Sequence, residues 1–217
     1  MWRDETGRSL ADYPHPSVAV DVALLAVVDG ALHVALHRRE GHATGELALP
    51  GTFVRIDERL ADAALRALRD HLGVTGRSPE PLRVFDDPHR DDRGRVLAIA
   101  HVDLVDGSVL PTGTRTAAVD TCPALAFDHG AMVAVAAEHV RDRHRRSPDP
   151  AGLLGAEFTL AGLQGLHEAV AGGPLPKDTF RRHVLGDLEP TGGRRTGVVG
   201  KPARLFRRAA GAGQPPV

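Results

Sequence analysis

The chain has 217 residues, 42% of them hydrophobic, and a formal net charge of −1. These values exclude a chain too polar to bury a core and fit one or two globular domains. The charge is unevenly divided, because residues 1–156 carry 18 Lys and Arg against 23 Asp and Glu, whereas residues 157–217 carry nine against five. This asymmetry indicates that the C-terminal part contacts a polyanion, although a solvated surface explains it equally well on charge alone.

Targeting and redox signals are few. Cys122 is the single cysteine, which excludes an intramolecular disulfide and is typical of a reducing compartment. The N-terminus has no apolar signal segment, and the longest early apolar run, residues 22–28, is far shorter than the roughly twenty residues of a membrane span. We therefore expect a cytoplasmic protein that has no membrane partner.

The first elements form a hairpin. We expect residues 1–16, which are polar and contain two prolines, to be a mobile lead-in. Residues 18–28 and 32–36 are apolar and β-branched, and the Asp29-Gly30 pair between them favours a turn, so they predict a β-hairpin. Residues 38–46 follow as a polar loop, and residues 47–51 as a short strand leading into a turn.

Residues 58–72 predict a helix. Apolar side chains recur at positions 60, 63, 64, 67 and 68, which is the spacing of one helical face, and Gly73 ends the pattern. The segment resembles the Nudix box, G-x5-E-x7-R-E-U-x-E-E-x-G-U, where U is aliphatic. The positions that fit this pattern are Glu58, Arg66, Leu68, Asp70, Gly73 and Val74.

Three departures from the box remove much of its chemistry. Nudix hydrolases use the box carboxylates to hold Mg²⁺ against a diphosphate, and a hard cation requires such oxygen ligands. Here Thr52 replaces the first glycine, Ala67 one glutamate and His71 another, and Ala67 joins the apolar face. The resemblance therefore implies a Nudix fold kept for binding, with no metal and no enzymatic activity beyond a residual pyrophosphatase. Glu58 and Asp70 remain open to either a weak Mg²⁺ site or a cap and salt bridge.

The remainder of the first half is less informative. Residues 96–105 predict a strand, residues 110–123 a loop, and residues 128–146 a helix. The acidic run at residues 86–92 has the composition of a metal site, but an exposed loop explains it better. Pro148, Asp149 and Pro150 follow the basic end of the helix, and we place the domain boundary here.

The periodicity then changes to that of a helix-turn-helix. Thr159 is a suitable N-cap for a helix with apolar residues at 160, 163, 166 and 170, and residues 172–174 form a turn. Pro176 suits the start of a second helix, in which Phe180 and Val184 face inward. A Gly- and Arg-rich loop, residues 191–200, and a strand at 203–206 follow. Two helices and a basic hairpin predict a winged helix-turn-helix.

Together the two halves resemble the Nudix-related transcriptional regulators, the NrtR family, over about residues 17–208. The segments that carry the resemblance are residues 49–51, 53–55 and 93–96 in the first half and residues 157–160, 163–164, 180–182 and 201–206 in the second. It implies an α/β protein of the α+β type, with an α/β/α Nudix sandwich (17–147), a linker (148–156), a winged helix-turn-helix (157–208) and a tail (209–217). It also implies a homodimeric, nucleoid-associated repressor of NAD-biosynthesis or salvage genes, with no cofactor, released from operator DNA by ADP-ribose or a related nucleotide.

Candidate site residues follow from this resemblance and from charge. Arginine and lysine suit guanine and phosphate, and the DNA-binding candidates are Thr159, Lys177, Thr179, Arg181, Arg182, Arg194, Arg195 and Lys201. A diphosphate requires cationic donors and an adenine an aromatic wall, and the effector-binding candidates are Arg39, Phe53, Arg55, Glu58, Arg93 and Arg95. Taken singly, each of these arginines is better explained as an ordinary surface residue, and Phe53 equally well as a core residue.

Three functions remain open at this point. The chain is a ligand-responsive repressor, an active Nudix hydrolase with an accessory winged-helix domain, or a scaffold whose winged helix binds protein. Ala67 and His71 count against hydrolysis. Residues 174–208 hold nine Lys and Arg against three Asp and Glu, which favours DNA over a protein partner.

Overall fold

The computed structural model describes residues 2–39, 46–195 and 202–209. The first half contains β1 (Ser17–Val28), β2 (Ala31–Arg38), β3 (Leu47–Ala48), β4 (Gly51–Phe53), α1 (Leu60–Leu72), β5 (Glu80–Phe85), β6 (Val96–Asp106), β7 (Arg115–Ala118) and α2 (His129–Arg146). The second half contains β8 (Phe158–Thr159), α3 (Leu160–Ala171), α4 (Lys177–Val184), β9 (Leu188–Arg195) and β10 (Ala203–Arg208).

Strand β1 is the centre of a mixed seven-stranded sheet. It pairs antiparallel with β2 and β4 and parallel with β6, and β5 adds to the far side of β6. Because side chains alternate along a strand, residues 20, 22, 24 and 26 pack against α1, whereas residues 19, 23 and 25 belong to the core on the α2 side. This arrangement confirms the predicted α/β/α sandwich and explains why β1 reads as a continuous apolar run.

The predicted hairpin and first helix are present, with one shift at the helix start. Asp29 (φ 48°) and Gly30 (φ 76°) both adopt positive φ, as a tight turn between twisted strands requires. Helix α1 begins at Leu60 and not at Glu58, because the backbone of Arg59, the N-cap, is extended, with φ −78° and ψ 153°. Helix α2 begins at His129, one residue after the predicted start.

Three strands correct the sequence-based assignments. Strand β5 was not predicted, and its alternating exposure and Pro81 fit an edge strand with little apolar signal. Strand β7 lies within residues 110–123, which were predicted as loop, and pairs with β2. Strand β9 extends through residues 191–195 of the predicted Gly/Arg-rich loop. The predicted lead-in, residues 1–16, includes a turn of 3-10 helix at Leu10–Asp12.

The second half folds around its own small core. Strands β8, β10 and β9 form a three-stranded sheet beside α3 and α4. Its buried residues are Phe158, Leu163, Phe180, Val184, Leu188 and Phe206. Helices, turn and hairpin follow the order expected of a winged helix-turn-helix. Over the described ranges, no helix has the length and apolar character needed to cross a bilayer.

Candidate functional site

A cavity of about 370 Å³ opens between the ends of β1, β2 and β4 and the start of α2. Gly51 is essential to its shape, because a Cβ at this position would lie 2.0 Å from Oδ1 of Asp21. The close approach of the β4 backbone leaves the Asp21 carboxylate lining the cavity. A volume of this size suits a small-molecule ligand.

Two arginines and two phenylalanines form what we call the rim of the cavity: Arg39, Phe53, Arg93 and Phe127. The Arg39 guanidinium lies 4.4 Å from the centre of the Phe127 ring, and that of Arg93 lies 5.3 Å from Phe127 and 5.4 Å from Phe53. Stacking of this kind orients cations beside flat apolar surfaces. Arg39 is also paired with Glu46 at 3.1 Å and Arg93 with Asp91 at 2.7 Å, so the rim offers guanidinium groups that a diphosphate would share with these carboxylates, and ring faces for a base.

Three of the buried polar side chains that line the cavity form what we call the floor: Asp21, Arg90 and His129; a fourth, Asp91, is bound to Arg93 of the rim. Arg90 makes a bidentate pair with Asp128, at 2.6 and 3.0 Å. His129 Nδ1 accepts a hydrogen bond from the Leu49 amide at 3.0 Å, so its proton resides on Nε2, which faces Asp21. The floor thus has a fixed pattern of charge and donors.

Two box residues that are kept, Glu58 and Arg66, bind each other and the segment around Phe53, and neither lines the cavity. Both oxygens of Glu58 accept from Arg66, at 2.7 and 2.8 Å, and these bonds hold the pKa of Glu58 down at about 2. Arg66 also donates to the Thr52 hydroxyl at 2.7 Å and to the Phe53 carbonyl at 3.0 Å. Thr52 is therefore an additional acceptor for this arginine.

The lost acidic positions have been given other uses. Ala67 is buried, with 1% of the residue exposed, and its methyl group offers no oxygen ligand to a metal ion. The His71 ring stacks on His37, with centroids 4.0 Å apart, and its Nε2 lies 3.1 Å from the Gly51 carbonyl oxygen. Burial, and then the neighbouring His71, lower the pKa of His37. Asp70 is exposed and bound to Arg69 at 3.0 Å.

Half of the predicted effector residues lie in the cavity. Arg39, Phe53 and Arg93 line it, whereas Arg55, Glu58 and Arg95 are absent from its lining. Arg95 donates instead to the Asp86 carbonyl at 2.7 Å, and the Arg55 amide donates to Glu58 at 3.1 Å.

The lining residues that the sequence did not predict include four that shape the floor and the rim: Asp21, Arg90, Phe127 and His129. Asp21 carried a usable signal, because it interrupts an otherwise apolar strand. The other three come from separate loops or a helix start, and their convergence is a property of the fold alone.

The predicted recognition helix α4 presents its polar side to solvent. Phe180 and Val184 are buried, while Lys177, Thr179, Arg181 and Arg182 are exposed. Within the described part of the chain, no carboxylate lies within ion-pair distance of these cations, whereas Arg207 and Arg208 of the neighbouring hairpin are paired with Glu189 and Asp149. Cations left without acidic partners are available to phosphate.

The hairpin supplies a second group of cations. Arg194 on β9 lies directly opposite Arg204 on β10, and both are exposed. Like charges at paired positions are unfavourable unless an anion lies between them, so Arg204 joins the predicted Arg194 and Arg195. Register in a hairpin of unknown loop length is not readable from sequence, which is why Arg204 was missed. Predicted Lys201 lies outside the described residues.

Thr159 has a different position from the other candidates. It is 8% exposed, and its hydroxyl accepts from the Gly162 amide at 3.0 Å as the N-cap of α3. This confirms the predicted cap. The side chain is oriented toward its own helix and offers little surface to DNA.

The segment predicted as a linker, residues 148–156, is packed between the two halves. The buried Asp149 carboxylate accepts from the Leu153 and Leu154 amides at 2.9 and 2.8 Å and pairs with Arg208 of the second half. His167 Nε2 donates to the Pro148 carbonyl at 2.6 Å. We call this set of contacts the joint.

The helices of the two halves also meet directly. Leu166 and Val170 of α3 are buried in the core formed by β1, β6 and α2. His183 of α4 donates to the Arg145 carbonyl at the end of α2, at 2.9 Å. The rings of His144, His167 and Phe180 follow one another edge to face, at 5.5 and 5.0 Å. The predicted recognition helix α4 is therefore in contact with the half that contains the cavity.

Comparison with known families divides the chain at the same place. Residues 16–142 match the NUDIX domain, and residues 150–208 match the NrtR DNA-binding winged helix domain. The chain is 30% identical over 217 residues to the "ADPR responsive transcriptional repressor NtrR" of Acinetobacter baylyi, covering 92% of this chain and 84% of the relative. The first half is also 31% identical to an ADP-ribose pyrophosphatase of Methanocaldococcus jannaschii, over 56% of this chain and 73% of that enzyme.

Solved structures agree with this division. The crystal structure of Shewanella oneidensis NrtR complexed with a 27mer DNA is 30% identical, with a TM-score of 0.72, and the match covers 88% of this chain and 93% of that one. The NUDIX domain of the same protein complexed with ADP ribose is 25% identical, with a TM-score of 0.52, over 62% of this chain and 95% of that one.

Proposed function

The chain belongs to the NrtR family of Nudix-related transcriptional regulators, and from this membership we propose that it represses transcription by binding operator DNA and is released by ADP-ribose. The targets that the family implies are genes of NAD biosynthesis or salvage. The observation that carries the proposal is the direct packing of a cationic recognition helix against a domain with a nucleotide-sized cavity.

The cavity supports a nucleotide diphosphate as effector. Its rim combines two arginines with two aromatic rings, and a related repressor and a related pyrophosphatase both have ADP-ribose in their names. Guanidinium groups bind phosphate oxygens through charged hydrogen bonds. Arg39 and Arg93 are therefore assigned to the diphosphate, and Phe53 and Phe127 to the adenine.

Binding without hydrolysis is the second part of the proposal. Mg²⁺ does not fit the residues present, because Glu58 is occupied by Arg66, Ala67 has no ligand atom and His71 replaces a carboxylate. Within the described residues, no group of three His, Cys, Asp or Glu side chains is arranged to hold a metal ion. No catalytic step is therefore assigned to a metal.

An active hydrolase remains the alternative, favoured by the likeness of the first half to an ADP-ribose pyrophosphatase. The two functions are separated by turnover of ADP-ribose with Mg²⁺ in excess. Hydrolysis at about 1 per second or faster, an ordinary enzyme rate, supports the alternative. Restoring the box with Ala67→Glu and His71→Glu is the positive control.

A homodimer completes the proposal. One recognition helix contacts few base pairs, and two-fold symmetry doubles the contact with a palindromic operator. We assign the dimer interface to the Nudix half, because the winged-helix half is small. Sedimentation of the protein on its operator should give two chains per site, and a single chain per site would contradict the dimer.

The direct test of function is a gel-shift titration on the DNA upstream of the chain's own and neighbouring genes, with and without ADP-ribose. We expect binding to one such fragment and its loss with ADP-ribose. Arg182→Ala should lose DNA binding while ADP-ribose binding, followed by calorimetry, is unchanged. Failure to bind any of these fragments more tightly than unrelated DNA contradicts the proposal.

A further inference from the structure

The floor of the cavity contains a buried carboxylate whose hydrogen-bonding capacity is not used. Asp21 is 7% exposed and lines the cavity. Its nearest polar neighbours are His129 Nε2, at 3.4 Å from Oδ1, and Arg90 Nη2, at 3.7 Å from Oδ2. Both separations are longer than an ordinary N–H···O bond, and among the described residues no donor forms a hydrogen bond to either oxygen. Buried charged oxygens require donors, so a ligand is expected to supply them.

The surroundings of Asp21 decide which kind of donor fits. Arg90 is positively charged, and the Nε2 of His129 carries a proton because Nδ1 accepts from Leu49. A cation bound here would have to lie beside the Arg90 guanidinium and the Nε2–H of His129, which already flank the carboxylate. A neutral donor such as a hydroxyl group avoids placing a further positive charge beside Arg90 and meets the acceptor that Asp21 offers.

The position of the floor decides which part of the ligand supplies the hydroxyls. The rings of Phe53 and Phe127 are on the rim, where an adenine can stack, and Phe127 marks the border with the floor, because its ring centre lies 5.5 Å from that of His129. The guanidinium groups of Arg39 and Arg93 lie beside these rings, and the diphosphate is assigned to them. A ligand anchored there extends its far end to the floor.

We propose that Asp21 accepts hydrogen bonds from the hydroxyls of the sugar at the far end of the diphosphate, and that it makes the cavity selective for ADP-ribose over ADP and ATP. The inference rests on the proposed function, since it presumes a nucleotide effector in this cavity. In ADP this sugar is missing, so Asp21 is left without its donors. In ATP a third phosphate approaches the carboxylate, and these like charges repel each other.

The test is Asp21→Asn, which keeps the size of the side chain and one acceptor oxygen but removes the charge. Calorimetric titrations with ADP-ribose, ADP and ATP give three dissociation constants for each protein. We expect the affinity for ADP-ribose to fall about tenfold or more, because hydrogen bonds to a charged acceptor are the stronger ones. ADP affinity should remain unchanged, and ATP affinity should rise. Asp62→Asn, at an exposed carboxylate outside the cavity lining, is the matched control and should alter none of the three.

The pattern across ligands separates the interpretations. An equal fall for ADP-ribose and ADP means that Asp21 contacts the adenine or only supports the floor, and overturns the proposal. An unchanged affinity for ADP-ribose also overturns it. If the wild-type protein binds none of the three nucleotides, the proposed function has failed before Asp21 is tested. A ligand variant gives the same test without any mutation: ADP-ribose that lacks the two ring hydroxyls of its terminal sugar should bind the wild-type protein about tenfold more weakly, and equal binding contradicts the proposal.

Discussion

Asp149→Asn should both destabilise the protein and uncouple its two halves. The Asp149 side chain is fully buried and bonds to two amides and to Arg208, whose side chain is 27% exposed. Removing one member of a buried ion pair costs about 3–5 kcal/mol. Because water reaches part of Arg208, we take the lower end, about 3 kcal/mol. The asparagine NH₂ would also face an amide N–H of Leu153 or Leu154, which costs about 1 kcal/mol more.

The loss is large against the 5–15 kcal/mol that stabilises a typical protein. Urea unfolding followed by far-UV circular dichroism measures it, and Glu138→Gln, at an exposed carboxylate bound to Arg145, is the control that should leave the midpoint unchanged. The variant should still bind ADP-ribose, while the effect of ADP-ribose on DNA affinity decreases. A loss of stability below 1 kcal/mol, or full coupling in the variant, would refute the assignment of Asp149 to the joint.

Three further outcomes are expected. Arg93→Ala should weaken ADP-ribose binding by about tenfold or more, whereas Arg95→Ala should have no effect, because only Arg93 lines the cavity; equal effects in calorimetry would contradict the assignment. Arg194→Gln should lower the slope of log affinity for DNA against log salt by about one, without reducing stability, and an unchanged slope would remove Arg194 from the interface. The pKa of Glu58 is lowered from 4.5 to about 2, mainly by hydrogen bonds from Arg66. The pair of Glu58 and Arg66 therefore stabilises the fold fully above about pH 4.5, and this contribution is lost as the pH falls toward 2. Acid titrations of unfolding should therefore show a smaller loss over that interval in Glu58→Gln, and an identical curve would exclude the pair.

Elements with a strong periodic pattern were predictable from the sequence. The apolar positions of α1 recur at helical spacing, and all of those predicted are buried except Leu60, which is 37% exposed at the start of the helix. Strand β5 was missed because, at the edge of the sheet, it has little need for apolar alternation. The joint was predicted to be a linker because residues 148–156 contain two prolines and two glycines, and the buried role of Asp149 depends on an arginine 59 residues away.

The cavity was predictable in kind and only partly in its residues. Arg39, Phe53 and Arg93 were identified through the family resemblance, which gives chemistry without geometry. Arg95 was chosen with Arg93, and the backbone carries its side chain to the Asp86 carbonyl instead. Arg90 from a loop and His129 from the start of α2 both lie beside the Asp21 carboxylate on β1. Contacts between such distant parts of the chain are not visible in local sequence patterns.

The central claim is that one free energy links the cavity and the recognition helix, and reciprocal titration tests it most directly. The dissociation constant of operator DNA is measured with and without saturating ADP-ribose, and that of ADP-ribose with and without saturating DNA. Linkage requires the two ratios to be equal, and a typical coupling of about 1–3 kcal/mol predicts a change of about 5- to 150-fold in each. The account predicts that each ligand weakens the other by this common factor. Affinities that are independent of the other ligand would contradict it, and the Nudix half would then be only a scaffold for the DNA-binding domain.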